Sequence, residues 1–177
     1  FERAGLAPGD ELVFAPGGGR ARVATLEGLP AVEPGDCVGF TLDEPIFVTR
    51  GQVATRAGER PCRVARSLRA YVFWLAREPL APGRRYGFRL GTARTSVHLA
   101  EIRRVMDAAS PDAPLSQSRV ERHQVAECVL ELGDAVAFDL PDENAAMSRF
   151  VLVADHDIAG GGIVQEALPH ARSRGRD

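Results

Sequence analysis

The chain of 177 residues carries 22 basic and 24 acidic side chains, a formal net charge of -2, and is 45% hydrophobic. Such a composition supports a folded core in one large or two small domains, and it excludes global attraction to nucleic acid or to an anionic membrane surface. No lysine occurs in it, which excludes a Schiff-base lysine and a P-loop lysine together.

In chain order, Gly9-Asp10, Gly35-Asp36 and Gly133-Asp134 each precede an apolar stretch ending in Phe14, Phe40 or Phe138. Glycine and aspartate satisfy turn dihedrals and turn hydrogen bonds, so each pair reads as a turn feeding a strand. Residues 1–56 give short strands at Glu11 to Ala15, Arg20 to Leu26, Cys37 to Leu42 and Phe47 to Arg50, with Pro16 to Gly19 as a hairpin turn. That is a partial barrel wall, since Val38, Phe40 and Leu42 share one face and need a packing partner. Residues 57–65, with Gly58 and Pro61, have the content of a linker.

Residues 66–168 give a second, fuller barrel of six to seven strands. Its first strand, Leu68 to Leu75, is apolar on both faces, so a core on one side and a neighbouring element on the other are expected. Tyr86 to Leu90, Ser96 to Arg104, Gln124 to Leu132, Ala135 to Leu140, Arg149 to Ala154 and Ile158 to Gln165 follow as strands. Residues 108–115 contain Pro111 and Pro114 and read as a loop, residues 116–120 as at most a helical turn or two, and residues 169–177 as a mobile arginine-rich tail. The fold class expected is all-β.

Candidate chemistry is sparse. Asp155-His156-Asp157 could form an acid-base or metal-ligating triplet, but neighbours along a strand point apart, so a solvated turn is the better reading. His98 and His123 have no second ligand at metal spacing, and His170 belongs to the tail. Gly160-Gly161-Gly162 precedes more strand rather than a helix, so it reads as close backbone packing instead of a phosphate cradle; Gly17 to Gly19 likewise reads as a hairpin. Ser67, Ser96, Ser116, Ser118 and Ser148 lack a nucleophile elbow, and Cys62 has no histidine near it in sequence. Arg66 and Arg69 with Tyr71, Phe73 and Trp74 could make a basic and aromatic nucleic-acid surface; ordinary strand burial is the preferred alternative. Hence no catalytic, cofactor-binding or metal residue is expected. Cys37, Cys62 and Cys128 are odd in number and far apart, which argues against a disulfide framework and for a reducing, cytoplasmic setting. No apolar run reaches membrane-spanning length, and a chain starting at Phe1 reads as a piece of a longer polypeptide.

Several segments carry a family resemblance. Pro8-Gly9-Asp10-Glu11-Leu12, the stretch Ala31 to Leu42, and Val48-Thr49-Arg50-Gly51 look like the later part of the second domain of translational GTPases. Trp74 to Leu80, Pro82-Gly83-Arg84-Arg85-Tyr86, Leu90-Gly91-Thr92, Asp139 to Ala145 and above all Arg149 to Val164 resemble the third domain of the elongation factor Tu-like GTPase subunit of sulfate adenylyltransferase. The resemblance implies two elongation factor Tu-type antiparallel barrels, the first incomplete. It also implies a parent enzyme in which GTP hydrolysis drives formation of adenosine 5'-phosphosulfate from ATP and sulfate. P-loop, switch and guanine-specificity motifs are absent from this chain, so GTP and Mg are expected only in a GTPase domain outside it. The expected partners are that GTPase domain and the adenylyl-transferring subunit, with no membrane. A tRNA-binding barrel module of translation-factor type is the alternative, disfavoured by the charge balance.

Overall fold

The computed structural model describes residues 5–28, 31–107, 110–115 and 118–169. Its first sheet contains β1 (Glu11–Ala15), β2 (Gly19–Leu26), β3 (Phe40–Leu42) and β4 (Val53–Arg56), antiparallel in the order β3-β2-β1-β4. Period-two alternation turns Leu12 and Phe14 of β1 and Val23 of β2 inward, where Leu6 and Val32 complete a small core. Two of the Gly-Asp pairs are turns as expected. Gly9 and Gly35 take φ of 93° and 100°, and the carboxylates of Asp10 and Asp36 accept the amide protons of Ala7 and Glu33, each at 2.9 Å.

The strand expected at Phe47 to Arg50 is not formed. Thr49 to Gln52 instead close a turn in which the Gln52 side chain accepts from the Thr49 amide at 2.9 Å and Gly51 adopts φ 99°. With its backbone in a turn, this stretch cannot join a ladder, and Phe47 stands 89% exposed. The fourth strand is β4 instead.

The second sheet contains β5 (Arg63–Trp74), β6 (Arg85–Leu90), β7 (Ala93–Asp107), β8 (Ser110–Leu115), β9 (Gln124–Phe138), β10 (Arg149–Ala154) and β11 (Asp157–Leu168). Its order is β6-β10-β11-β5-β9-β7-β8, and β6 also pairs with β7, so six strands close into a barrel while β8 stays outside the ring. Among the described residues one 3-10 turn, Ala146–Ser148, precedes β10. The barrel core is lined by Leu68, Ala70, Val72 and Trp74 of β5, none more than 1% exposed, and by facing residues such as Phe88, Leu130 and Leu152.

Four expectations need correction here. β5 starts at Arg63, so Arg63 to Ala65 of the expected linker are paired strand, opposite Phe138 to Val136. The outer face of β5 carries Tyr71 and Phe73 at 38% and 39% exposure; its apolar residues are not covered on both sides. Residues 110–115, expected to be a loop, form β8, which pairs with β7 at the end of the sheet; proline is tolerated in an edge strand, one side of which has no ladder to complete. Finally, β9 is one strand where two were expected. Gly133-Asp134 does not turn the chain back: the Asp134 amide and carboxylate both engage the Thr95 hydroxyl, each at 2.9 Å, and the β5 register slips beside it. The expected helical turn at 116–120 falls partly, and the expected tail almost wholly, outside the described residues; Val120 pairs with Leu80 in an isolated bridge.

Gly160 and Gly162 of β11 pair with Trp74 and Val72 of β5, facing inward. A Cβ at Gly160 would lie 2.7 Å from the Phe73 carbonyl oxygen and 2.9 Å from the Trp74 ring, and one at Gly162 would overlap the Tyr71 carbonyl oxygen and the Phe150 ring. These glycines admit two aromatic rings to the core. Gly162→Ala is expected to lower stability by about 2 kcal/mol or more through overpacking, while Gly161→Ala changes it by less than about 1 kcal/mol. Urea midpoints of the two variants check the contrast.

Candidate functional site

The two sheets meet along a cleft. On the first sheet Gly51 sits against Ala93 at the start of β7, where an added Cβ would lie 3.0 Å from the Ala93 Cα. The connection between the sheets is held by Glu143, whose side chain is only 7% exposed. Its carboxylate contacts Arg60 at 2.6 Å, pairs with Arg63, and accepts the Leu140 amide at 3.0 Å. Two guanidinium groups and an amide stabilise the charged form, which holds the Glu143 carboxyl below the usual carboxylate range, with the Arg63 hydrogen bond as the largest cause.

The cleft encloses a cavity of about 340 Å³ lined by Leu6, Leu12, Phe40 and Val53 on one side and Leu90 and Met147 on the other, with Arg56 and Asn144 among its polar groups. Arg56 is engaged by Glu59 at 2.5 Å and Asp10 at 3.5 Å. The Asn144 Nδ2 donor is buried without a hydrogen-bond partner among the described residues. Thr55 and Thr92 bring hydroxyls to this cavity, and Glu59 and Asp139 bring carboxylates, that of Glu59 being engaged by Arg56.

The residues weighed from the sequence lie elsewhere and do not converge. Asp155 and His156 fill the two central positions of the β10-β11 hairpin with φ of 49° and 75°, the left-handed geometry that matches the twist of paired strands. Both are exposed, and Asp155 pairs with Arg84 at 2.8 Å. His123 is exposed with φ 67°, its amide donating to the Trp74 carbonyl at 2.7 Å. His98 lies exposed on β7, and His170 is outside the described residues. Ser67 and Ser148 are buried, and the Ser148 hydroxyl donates to Ala145 at 2.9 Å. Ser96 is half-buried on β7, Ser118 is exposed, and Ser116 is outside the described residues. Among the described residues no group of three His, Cys, Asp or Glu is placed to hold a metal. Nor is any helix among them long and apolar enough to cross a membrane.

The basic and aromatic surface weighed at β5 comes apart in three dimensions. Trp74 is in the core with its indole N–H donating to the Glu78 carbonyl at 2.7 Å. Arg69 is bound by Glu166 at 2.8 Å and Glu127 at 3.2 Å, and Arg66 donates to the Gly133 carbonyl. Tyr71 and Phe73 remain outward, beside arginines that are already engaged. Sequence reasoning overlooked Glu143 as a structural clamp, because its partners Arg60 and Arg63 are far away in the chain; a carboxylate just after the Pro141-Asp142 turn was the only local signal.

An open four-stranded antiparallel sheet joined to a closed six-stranded barrel gives this chain an elongation factor Tu-like all-β fold. The crystal structure of sup35 complexed with GDP has the same fold, with a TM-score of 0.82 over 93% of this chain and 42% of that one, at 17% identity. The family described as GTP-eEF1A C-terminal domain-like matches residues 67–165, and the chain belongs to it. Sulfate adenylyltransferase subunit 1 of Aeromonas hydrophila is 30% identical over 169 residues, covering 92% of this chain and 35% of that protein. The bifunctional enzyme CysN/CysC of Xylella fastidiosa is 31% identical over 150 residues, covering 82% and 24%. The chain spans about a third or less of the length of these curated relatives.

Two outcomes follow from the ionisable groups. A depressed carboxyl pKa contributes stability that is present above the unfolded-state value and is lost as pH falls through the folded-state value. Glu143→Gln is therefore expected to cost about 1–3 kcal/mol at pH 7. The gap from wild type should begin to narrow as pH drops below the ordinary glutamate value, about 4.3, and close only below the depressed folded-state value, as read from urea midpoints across pH. Burial pushes the Cys128 thiol up to about 12, whereas Cys37 is exposed. Thiol titration of the native protein at pH 8 is expected to label Cys37 promptly and Cys128 only on unfolding.

Proposed function

We propose that this chain is the non-catalytic barrel portion of a sulfate adenylyltransferase GTPase subunit, acting in the cytoplasm. In this reading it braces the GTPase domain and docks the subunit that transfers the adenylyl group. The observation that carries the proposal is the similarity to sulfate adenylyltransferase subunit 1 over 92% of the chain, a span that takes in both sheets and the clamp between them. The geometry is compatible with such work. A closed barrel and a second sheet, fastened by Glu143 and by the Gly51 to Ala93 contact, give a stiff two-part surface on which other domains can rest. GTP and Mg belong, in this proposal, to the GTPase domain, and this chain supplies no ligand to either.

The test is affinity capture with the native full-length protein, followed by identification of what binds and a salt titration. Capture of the adenylyl-transferring subunit, with weak dependence on salt, is the expected result. Capture of tRNA that falls steeply with salt would overturn it in favour of a translation-type role. The purified chain alone is expected to turn over neither GTP nor ATP, and measurable turnover of either would end the non-catalytic reading.

A further inference from the structure

The arginines of this chain are sorted by location. Around the sheet connection and on the β5 face they are matched with carboxylates: Arg56 with Glu59, Arg63 with Glu143, Arg69 with Glu127 and Glu166. The β6-β7 hairpin is different. Its outward positions pair as Arg85 with His98, Gly87 with Ser96, and Arg89 with Arg94, all three arginines being exposed. Among the described residues no carboxylate lies within ion-pair distance of Arg85, Arg89 or Arg94. Two like charges placed directly opposite on adjacent strands repel each other, in a chain whose carboxylates outnumber its arginines.

The face is also shaped. Gly87 and Ser96, the small pair between the cationic ones, belong to a hollow of about 390 Å³ whose wall includes Arg84, Arg85, Val153 and His156. Beside it β10 contributes Val151 opposite Arg89 and Val153 opposite Gly87, both half-buried. Toward the first sheet, Arg50 lines a second hollow together with Arg94. Arginine beside partly covered aliphatic side chains is the composition of a protein-binding surface.

We propose that this outer face of β10, β6 and β7 is where a carboxylate-rich surface of a partner protein docks. It rests on the function proposed above, in which that partner is the adenylyl-transferring subunit. Carboxylates entering the Gly87 to Ser96 hollow reach Arg85 in its wall and lie beside Arg89, two residues past Gly87 on the same strand face, and the planar guanidinium forks suit bidentate pairing. A nucleic-acid backbone fits less well. The cationic face is short and bounded by acids, with Asp155 in the wall of the hollow itself and paired with Arg84, Asp134 at Thr95 and Glu131 opposite His98, so a phosphate chain running off it meets like charge.

The test compares the native full-length protein with Arg89→Glu/Arg94→Glu and Arg89→Lys/Arg94→Lys versions. Each is measured for binding to the purified adenylyl-transferring subunit and to a fluorescent RNA duplex. All the substituted side chains are exposed, and thermal melts check that folding is unchanged. The double Glu variant is expected to bind the subunit at least about tenfold more weakly, chiefly through a slower association rate with reduced salt dependence, and the Lys variant to stay near wild type. Wild-type binding that the Glu variant retains in full would overturn the docking face while leaving the proposed function standing. Absence of any wild-type binding to the subunit would overturn both. Loss of RNA binding in the Glu variant with subunit binding intact would assign the face to nucleic acid and overturn the proposal.

Discussion

The barrel depends on two aromatic rings having somewhere to go. Trp74 on β5 and Phe150 on β10 both point inward at the strand that separates them, β11, and they fit because that strand presents no side chain at Gly160 or Gly162. Once admitted, Trp74 meets Tyr86 edge-on with ring centroids 5.4 Å apart, and Phe150 stacks on Phe88 at 4.8 Å. These contacts join β5, β6 and β10 across the barrel interior. The same rings shield the core at the stretch where β6 closes onto β10 and β7, so ring closure and aromatic packing are one arrangement.

The second sheet is thus rigid by packing, and the first is attached to it by fewer, more polar contacts. Glu143 reaches from the loop after β9 to Arg60 and Arg63, at the end of the connection and the start of β5. Its near-complete burial matters, since an ion pair in bulk water contributes little, whereas one shielded and backed by an amide hydrogen bond resists exchange with solvent. At the other side of the cleft a glycine in a positive-φ turn allows backbone to lie on backbone at Ala93. Between these two fastenings lies the apolar cavity, with its unsatisfied Asn144 donor.

Surface charge follows the same division. Where the chain must hold its own parts together, arginine is met by carboxylate; on the β6-β7 hairpin, among the described residues, it is not. Neutralisation inside and excess outside on one wall is the pattern expected when a wall is left for something else to complete. The side-chain triplet that looked most chemical, Asp155-His156-Asp157, serves instead as the hairpin turn that aligns β10 with β11.

Local physics was readable from the letters alone. Alternation of apolar residues placed β1, β2, β6, β10 and β11, because period-two burial is a property of the strand itself. The turns at Gly9-Asp10, Gly35-Asp36 and Asp155-His156 followed from dihedral preferences that need no distant partner. The all-β class and the family resemblance followed as well. Tertiary structure decided whatever depended on which strands become neighbours. Gly133-Asp134 is a turn signal spent inside a continuous strand because Thr95 engages its amide and carboxylate. Residues 110–115 hold two prolines and still pair, because they lie at an edge. Tyr71 and Phe73 face outward although their strand looked apolar throughout. The Glu143 clamp and the unpaired arginine face were equally hidden, for charge pairing over long sequence separations exists only after the barrel closes and chooses which side chains meet.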